Sequence, residues 1–131
     1  MKHLKTFLVL ALIVVANSVS AQSTFDKWPA IKEFHEVLSE TFHPAEEGKL
    51  APIKARSNEL LAKATKVQKT EIPAEFKTEI ITELVNRLQA NSKSLNQIVT
   101  NKGTDAEIVK SITGLHDIFH EIVGICSDSK K

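Results

Sequence analysis

Cysteine, glycine and tyrosine are scarce or missing in this chain of 131 residues, which has one cysteine, four glycines and no tyrosine. With Cys126 as the single cysteine, an internal disulfide is excluded. The fold must then be stabilised by its apolar core, to which a bound metal ion or a second subunit could add. The low glycine content and the shortage of β-branched clusters argue against a protein of short strands and tight turns.

An excess of charge of one sign is also missing, since 17 Lys and Arg stand against 16 Asp and Glu. Removal of the first 21 residues would take two lysines and no acidic residue, which leaves 15 basic against 16 acidic residues. Such a balance gives no support to a nucleic acid or an anionic membrane surface as partner. We therefore expect no nucleic-acid partner.

The amino terminus has the pattern of a secretory signal peptide. Lys2 and Lys5 form a short basic start, the apolar run TFLVLALIVVA is too short to span a bilayer, and small residues lead up to Ala21. We predict that residues 1–21 are a signal peptide cleaved after Ala21 and that residues 22–131 form one domain. No later segment has the length and apolar character of a membrane span, so we expect a periplasmic or secreted protein that is not membrane-embedded.

Apolar residues recur at intervals of three and four along the rest of the chain, which predicts an all-α protein. Four helices are expected, from about Asp26 to Thr41, Leu50 to Val67, Pro73 to Thr100 and Asp105 to Ser127. The first should stop near His43, because Pro44 disfavours helical geometry in the residue before it. Thr104 and Glu107 have the spacing of a capping box for the last helix. Four amphipathic helices with short connections pack most economically as an up-down-up-down antiparallel four-helix bundle.

Four histidines follow the predicted signal peptide, and they lie on the first and last helices or at their ends: His35, His43, His116 and His120. On a helical wheel, His116 and His120 flank the apolar face of the last helix, and His35 has a similar position on the first. The two helices are antiparallel neighbours in such a bundle, so His35 is expected near the level of His120. Two imidazoles four residues apart, with a third from a facing helix, form a ligand set for Zn²⁺ or Cu²⁺.

The direction of His43 is not determined by helical geometry, because this residue lies at a helix end followed by proline. It is either a fourth ligand of the same ion or the start of a separate site with Glu46 and Glu47. Cys126 would lie roughly 9 Å along the helix axis from His120, too far to share an ion, and is expected to be a core residue. The alternative for all these histidines is a structural role as partly buried polar side chains.

The predicted architecture resembles that of cytochrome c-prime and the related b-type four-helix cytochromes. The resemblance rests on an exported helical domain with IKEFHEVLSETFHP in its first helix and LHDIFHEIVGIC in its last. In those proteins a histidine near the end of the last helix binds haem iron, and His120 is the matching position. The covalent attachment signature C-x-x-C-H is absent, and no methionine follows Met1. The resemblance therefore implies a non-covalent haem b, held by His35 and His120 or by one of them alone.

No catalytic residues are predicted, because the chain has no nucleophile elbow, no glycine-rich phosphate loop and no carboxylate pair beside the histidines. The first hypothesis is a metal-binding protein that uses His35, His43, His116 and His120. One alternative is a b-type haem protein for electron transfer. Another is a cofactor-free helical interaction module, which as a homodimer would pair through the exposed flank of the first two helices.

Overall fold

The computed structural model describes residues 21–128, and within this range the chain is helical apart from short connections. The long helices are α1 (Pro29–Glu46), α2 (Ala51–Lys69), α3 (Glu79–Thr100) and α4 (Asp105–Asp128). A shorter helical segment, residues 21–27, precedes α1. The prediction of an all-α protein is confirmed for these residues, whereas the predicted signal peptide lies, except for its last residue, outside them.

The start of α1 differs from the prediction. Trp28 occupies the N-cap position and Pro29 follows in the first turn, where its missing N–H costs nothing. Asp26 is therefore not the cap and belongs to the helical segment 21–27. The backbone N–H of Trp28 donates to the carbonyl oxygen of Thr24 at 3.0 Å, so the chain passes from the short segment into α1 without leaving the core.

The end of α1 also differs, because the helix passes through Pro44 to Glu46 instead of stopping near His43. Proline in the last turn removes only one amide donor from the helix. The carbonyl oxygen of Pro44 accepts from the backbone N–H groups of Glu47 and Lys49 at 3.0 Å and 2.9 Å. These bonds close the helix end one turn later than the sequence predicts.

The start of α3 is the third difference, since the helix begins at Glu79 and not near Pro73. Thr78 is the N-cap, and its side-chain oxygen accepts from the backbone N–H of Ile81 at 3.1 Å. Before this cap, the N–H of Phe76 bonds to the carbonyl oxygen of Pro73 in a turn. Burial of the Phe76 ring, which is 2% exposed, holds that turn against the core.

The connection between α3 and α4 follows the prediction more closely. Thr104 accepts from the backbone N–H of Glu107 at 3.2 Å, which is the first half of the predicted capping box. At the end of α3, the N–H of Gly103 donates to the carbonyl oxygen of Ile98 at 2.8 Å. The left-handed position of this helix end is taken by Lys102, with φ of 57°, and not by the glycine.

The four long helices enclose one apolar core, in which α1 packs against α2, α2 against α3, α3 against α4, and α4 against α1. Cys126 is 1% exposed and belongs to this core, as predicted. Within residues 21–128, no helix is both long and apolar enough to cross a membrane. The contact between α1 and α4 joins the two helices that carry the predicted histidines.

Candidate functional site

Aromatic and imidazole rings fill one helix interface. On one side of it lies α4, and on the other lie α1 and the helical segment 21–27 that precedes it. These rings form what we call the aromatic seam, which consists of Phe25, Phe34, His35, Phe42, His116, Phe119 and His120. Apolar residues at helical spacing supply the phenyl rings, and the histidines flank them. The seam therefore brings three of the four predicted ligands to one helix interface.

His116 and His120 are in direct contact. Their Nε2 atoms are 3.0 Å apart, whereas the ring centroids are 4.3 Å apart with an angle of 75° between the planes. The nitrogens are closer than the centroids, so the Nε2 edges of the rings face each other. This contact follows from the sequence spacing, because residues four apart are neighbours on a helix surface. When both rings are neutral, one Nε2–H donates to the other Nε2.

The ring of His116 lies flat on Phe42, with centroids 3.7 Å apart and 13° between the planes. This contact comes from α1, and it fixes the orientation of the half-buried His116 ring, while His120 is exposed. Burial lowers the pKa of His116, and the neighbouring His120 lowers it further, while Asp117 and Glu46 act in the opposite direction. His116 therefore favours the neutral form that can bind a metal ion.

His35 lies between two phenyl rings. Its centroid is 4.8 Å from that of Phe25 and 5.2 Å from that of Phe119, and both contacts are stacked. Burial lowers the pKa of His35, the proximity of His120 lowers it further, and Glu36 partly offsets both. His35 is thus at the level of Phe119 and close to His120, but its ring is held by the stack.

His43 is exposed at the end of α1. Its Nδ1 is 3.7 Å from Oε2 of Glu46, and its ring is tilted by 57° against Phe42 at 5.8 Å. Glu47 instead pairs with Lys49 at 3.3 Å. Of the two carboxylates predicted near His43, Glu46 is therefore the one that the structure places beside it.

The structure brings the rings of His116 and His120 into direct contact, whereas His35 stacks on phenyl rings in the same seam and His43 lies beside Glu46. Within residues 21–128, no group of three or more His, Cys, Asp or Glu side chains is arranged to hold a metal ion. His35 and His43 lie on α1 near the pair formed by His116 and His120 without joining it. A site closed by three or four histidines would require side chains of α1 to rotate.

Phe42 is the residue of the site that the sequence did not indicate. The helical period of α1 predicts a core position for it, and it is 5% exposed. Its contact with His116 depends on how far α4 is shifted along α1, and no local pattern in the sequence determines that shift.

A separate groove with a volume of about 360 Å³ lies between α3 and α4. It is lined by Asn91, Ser94, Ile98, Glu107, Lys110, Ser111 and Gly114. This lining contains no histidine or cysteine, so the groove does not extend the candidate metal site.

Comparisons with protein-family models, with curated proteins and with solved structures found no match for this chain. The resemblance to cytochrome c-prime and its relatives therefore stays a prediction. A function has to be argued from the side chains of the site, because a helical architecture alone does not imply one.

Proposed function

We propose that this protein is an exported helical-bundle protein that binds a transition-metal ion, Zn²⁺ or Cu²⁺, through histidines on α1 and α4. The observation that supports this most is the 3.0 Å distance between Nε2 of His116 and Nε2 of His120. Metal–nitrogen bonds of about 2.0–2.1 Å place two imidazole nitrogens of one ion about 2.8–3.4 Å apart. The two nitrogens lie within this range in a hydrogen-bonded contact, so an ion would replace the shared proton and both rings would carry their N–H on Nδ1.

The four histidines have different roles in this proposal. His116 and His120 are the primary ligands, and Phe42 keeps the first of these rings in place. His43 is the best additional ligand from α1, because it is exposed and its weak contact with Glu46 leaves it free to rotate. His35 is the least accessible, because its ring would have to leave its aromatic stack.

The proposed architecture is the up-down-up-down antiparallel bundle, and ion pairs between α1 and α2 support it. Glu33 pairs with Lys66, whereas Glu40, further along α1, pairs with Arg56. Residue numbers thus rise along one helix as they fall along the other. The proposed export to the periplasm or the exterior rests on the pattern of a signal peptide at residues 1–21.

Metal binding is tested by elemental analysis and by titration calorimetry with Zn²⁺ and Cu²⁺, on protein purified without an affinity tag. We expect one ion per chain and no measurable binding by the double variant His116→Ala/His120→Ala. The matched control is Glu121→Gln, an exposed change on the same helix, which should bind as the unchanged protein does. A double variant that binds at full strength would contradict the proposal.

The haem alternative is tested in the same preparation by adding haem and recording the absorption spectrum. Ligation by His35 and His120 would require the His35 ring to leave the stack between Phe25 and Phe119, and the structure gives no feature that favours this. The absence of a Soret band would exclude the haem protein. A chain that binds neither metal nor haem would leave the cofactor-free interaction module.

A further inference from the structure

The proposed cleavage after Ala21 would make Gln22 the first residue of the exported chain. A glutamine in that position carries an α-amine and a side-chain amide on the same residue, and the two can react to close a five-membered lactam. The reaction requires that the amine is free and that the side chain can turn towards it. Both requirements depend on where the folded chain holds Gln22.

The main-chain nitrogen of Gln22 lies at the start of the helical segment 21–27. The first four amides of a helix have no partner within that helix, so cleavage leaves this nitrogen as an amine without an intrahelical hydrogen bond. An α-amine ordinarily has a pKa of about 7.7–8.0, so near neutral pH a part of it is unprotonated and nucleophilic. Gln22 is exposed, so no core packing has to open for the reaction.

The side-chain amide of Gln22 contacts the next turn of the segment, where its Nε2 donates to Oδ1 of Asp26 at 3.1 Å. Both residues are exposed, and a hydrogen bond between Gln and Asp at this spacing on a helix surface shifts a conformational equilibrium by only about twofold. The side chain can therefore leave Asp26 and turn towards its own amine. The contact slows ring closure slightly without preventing it.

We propose that Gln22 is a modification site, at which the exported protein carries an N-terminal pyroglutamate. The proposal rests on the proposed export and is independent of metal binding. The amine nitrogen attacks Cδ of the side-chain amide, so that a new Cδ–N bond forms and the Cδ–Nε2 bond breaks. Nε2 takes up the proton that the amine loses and leaves as ammonia, so the step needs no oxidant, reductant or further reactant.

The lactam protects the segment with which the aromatic seam begins. Phe25 follows Gln22 by three positions, and its ring lies against His35 with centroids 4.8 Å apart. Aminopeptidases remove residues one at a time from a free α-amine, which the lactam no longer offers. The modification therefore keeps Phe25 on the exported chain and His35 within its stack.

The test is intact-mass spectrometry of the protein expressed in a bacterial host with its own residues 1–21 and recovered from the periplasm. We expect the mass of residues 22–131 less one molecule of ammonia. Stepwise N-terminal degradation, which needs a free amine, should release no residue. The matched control is Gln22→Glu, which keeps the size of the side chain but replaces the amide by a carboxylate that an amine attacks far less readily. It should retain the full mass and a free amine.

Two outcomes would overturn the inference, and they differ in what they leave standing. A chain that begins at Gln22 but keeps its full mass and a free amine after several days at neutral pH would show that the lactam does not form, while the proposed export would stand. A chain that begins at any other residue would contradict the cleavage on which the inference rests. In both cases the calorimetric test of metal binding keeps its meaning.

Discussion

Replacement of Gly114 by alanine should stabilise the protein, because nothing in the structure requires a glycine at this position. A Cβ atom built on Gly114, in the interior of α4, meets no other atom within 4 Å. Glycine is less favourable than alanine in a helix interior by about 0.8–1.0 kcal/mol. We expect the free energy of unfolding to rise by about 1 kcal/mol, which raises the melting temperature of a domain of roughly 100 residues by about 4 °C.

The same substitution at Gly103 should have the opposite effect. A Cβ atom there would lie 2.6 Å from Cγ2 of Ile98, 2.8 Å from Oε2 of Glu107 and 3.1 Å from the carbonyl oxygen of Ile98. The carboxylate of Glu107 can rotate away, but the two contacts with Ile98 persist unless the end of α3 shifts. Overpacking of this kind costs about 1–3 kcal/mol.

Both substitutions are measured by urea unfolding followed by far-ultraviolet circular dichroism, with the slopes of the transitions compared. Gly124→Ala is the matched control for Gly114→Ala, because its Cβ also meets nothing within 4 Å. Its gain should be smaller, since Gly124 lies near the end of α4, where helices fray. A Gly114→Ala protein that is less stable than the parent, or a Gly103→Ala protein that is more stable, would refute the reasoning.

Three further measurements test other parts of the structure. Lowering the pH from 7.5 to 5 should reduce stability: burial lowers the pKa of His35 and His116 in the folded protein, so below about 6.5 the unfolded chain takes up protons first. In thermal unfolding, His35→Gln should lose less stability between pH 7.5 and pH 5 than the unchanged protein does. An equal loss would show that His35 is not one of the groups responsible. Pro44→Ala restores one helical amide bond, worth about 1 kcal/mol, but gives the unfolded chain about 0.4–1 kcal/mol of extra conformational freedom, so the free energy of unfolding should change by less than about 1 kcal/mol in urea unfolding; a larger loss would show that the proline shapes the helix end. Phe42→Leu should weaken Cu²⁺ binding about 10-fold in calorimetry by freeing the His116 ring, and unchanged affinity would exclude this positioning role.

Local signals in the sequence predicted helix ends well where they did not compete. Thr104 caps α4 as its spacing with Glu107 indicates. At the start of α3, both Pro73 and Thr78 are residues that commonly begin a helix. The helix begins after Thr78, because the turn between them is held against the core by Phe76. At Pro44 the rule that a helix ends before a proline failed. The carbonyl oxygen of Pro44 accepts hydrogen bonds from the following turn, which a local sequence pattern does not reveal.

The candidate site was predictable only in part. The spacing of His116 and His120 places them on one helix face, and the structure brings their rings into contact. The position of His35 between two phenyl rings was not predictable, because Phe25 precedes the start of the predicted first helix. Whether these histidines bind a metal ion stays a prediction for the experiments above.

The aromatic seam also affects how the chain is made, because it joins the first long helix to the last. Phe42 and His116 are separated by 74 positions. At a synthesis rate of about 5–20 residues per second, roughly 4–15 s pass between the two residues. For those seconds, Phe34 and Phe42 lack the helix that will cover them and are open to association with other unfinished chains. The face of α1 that packs on α4 is therefore covered later than the face that packs on α2.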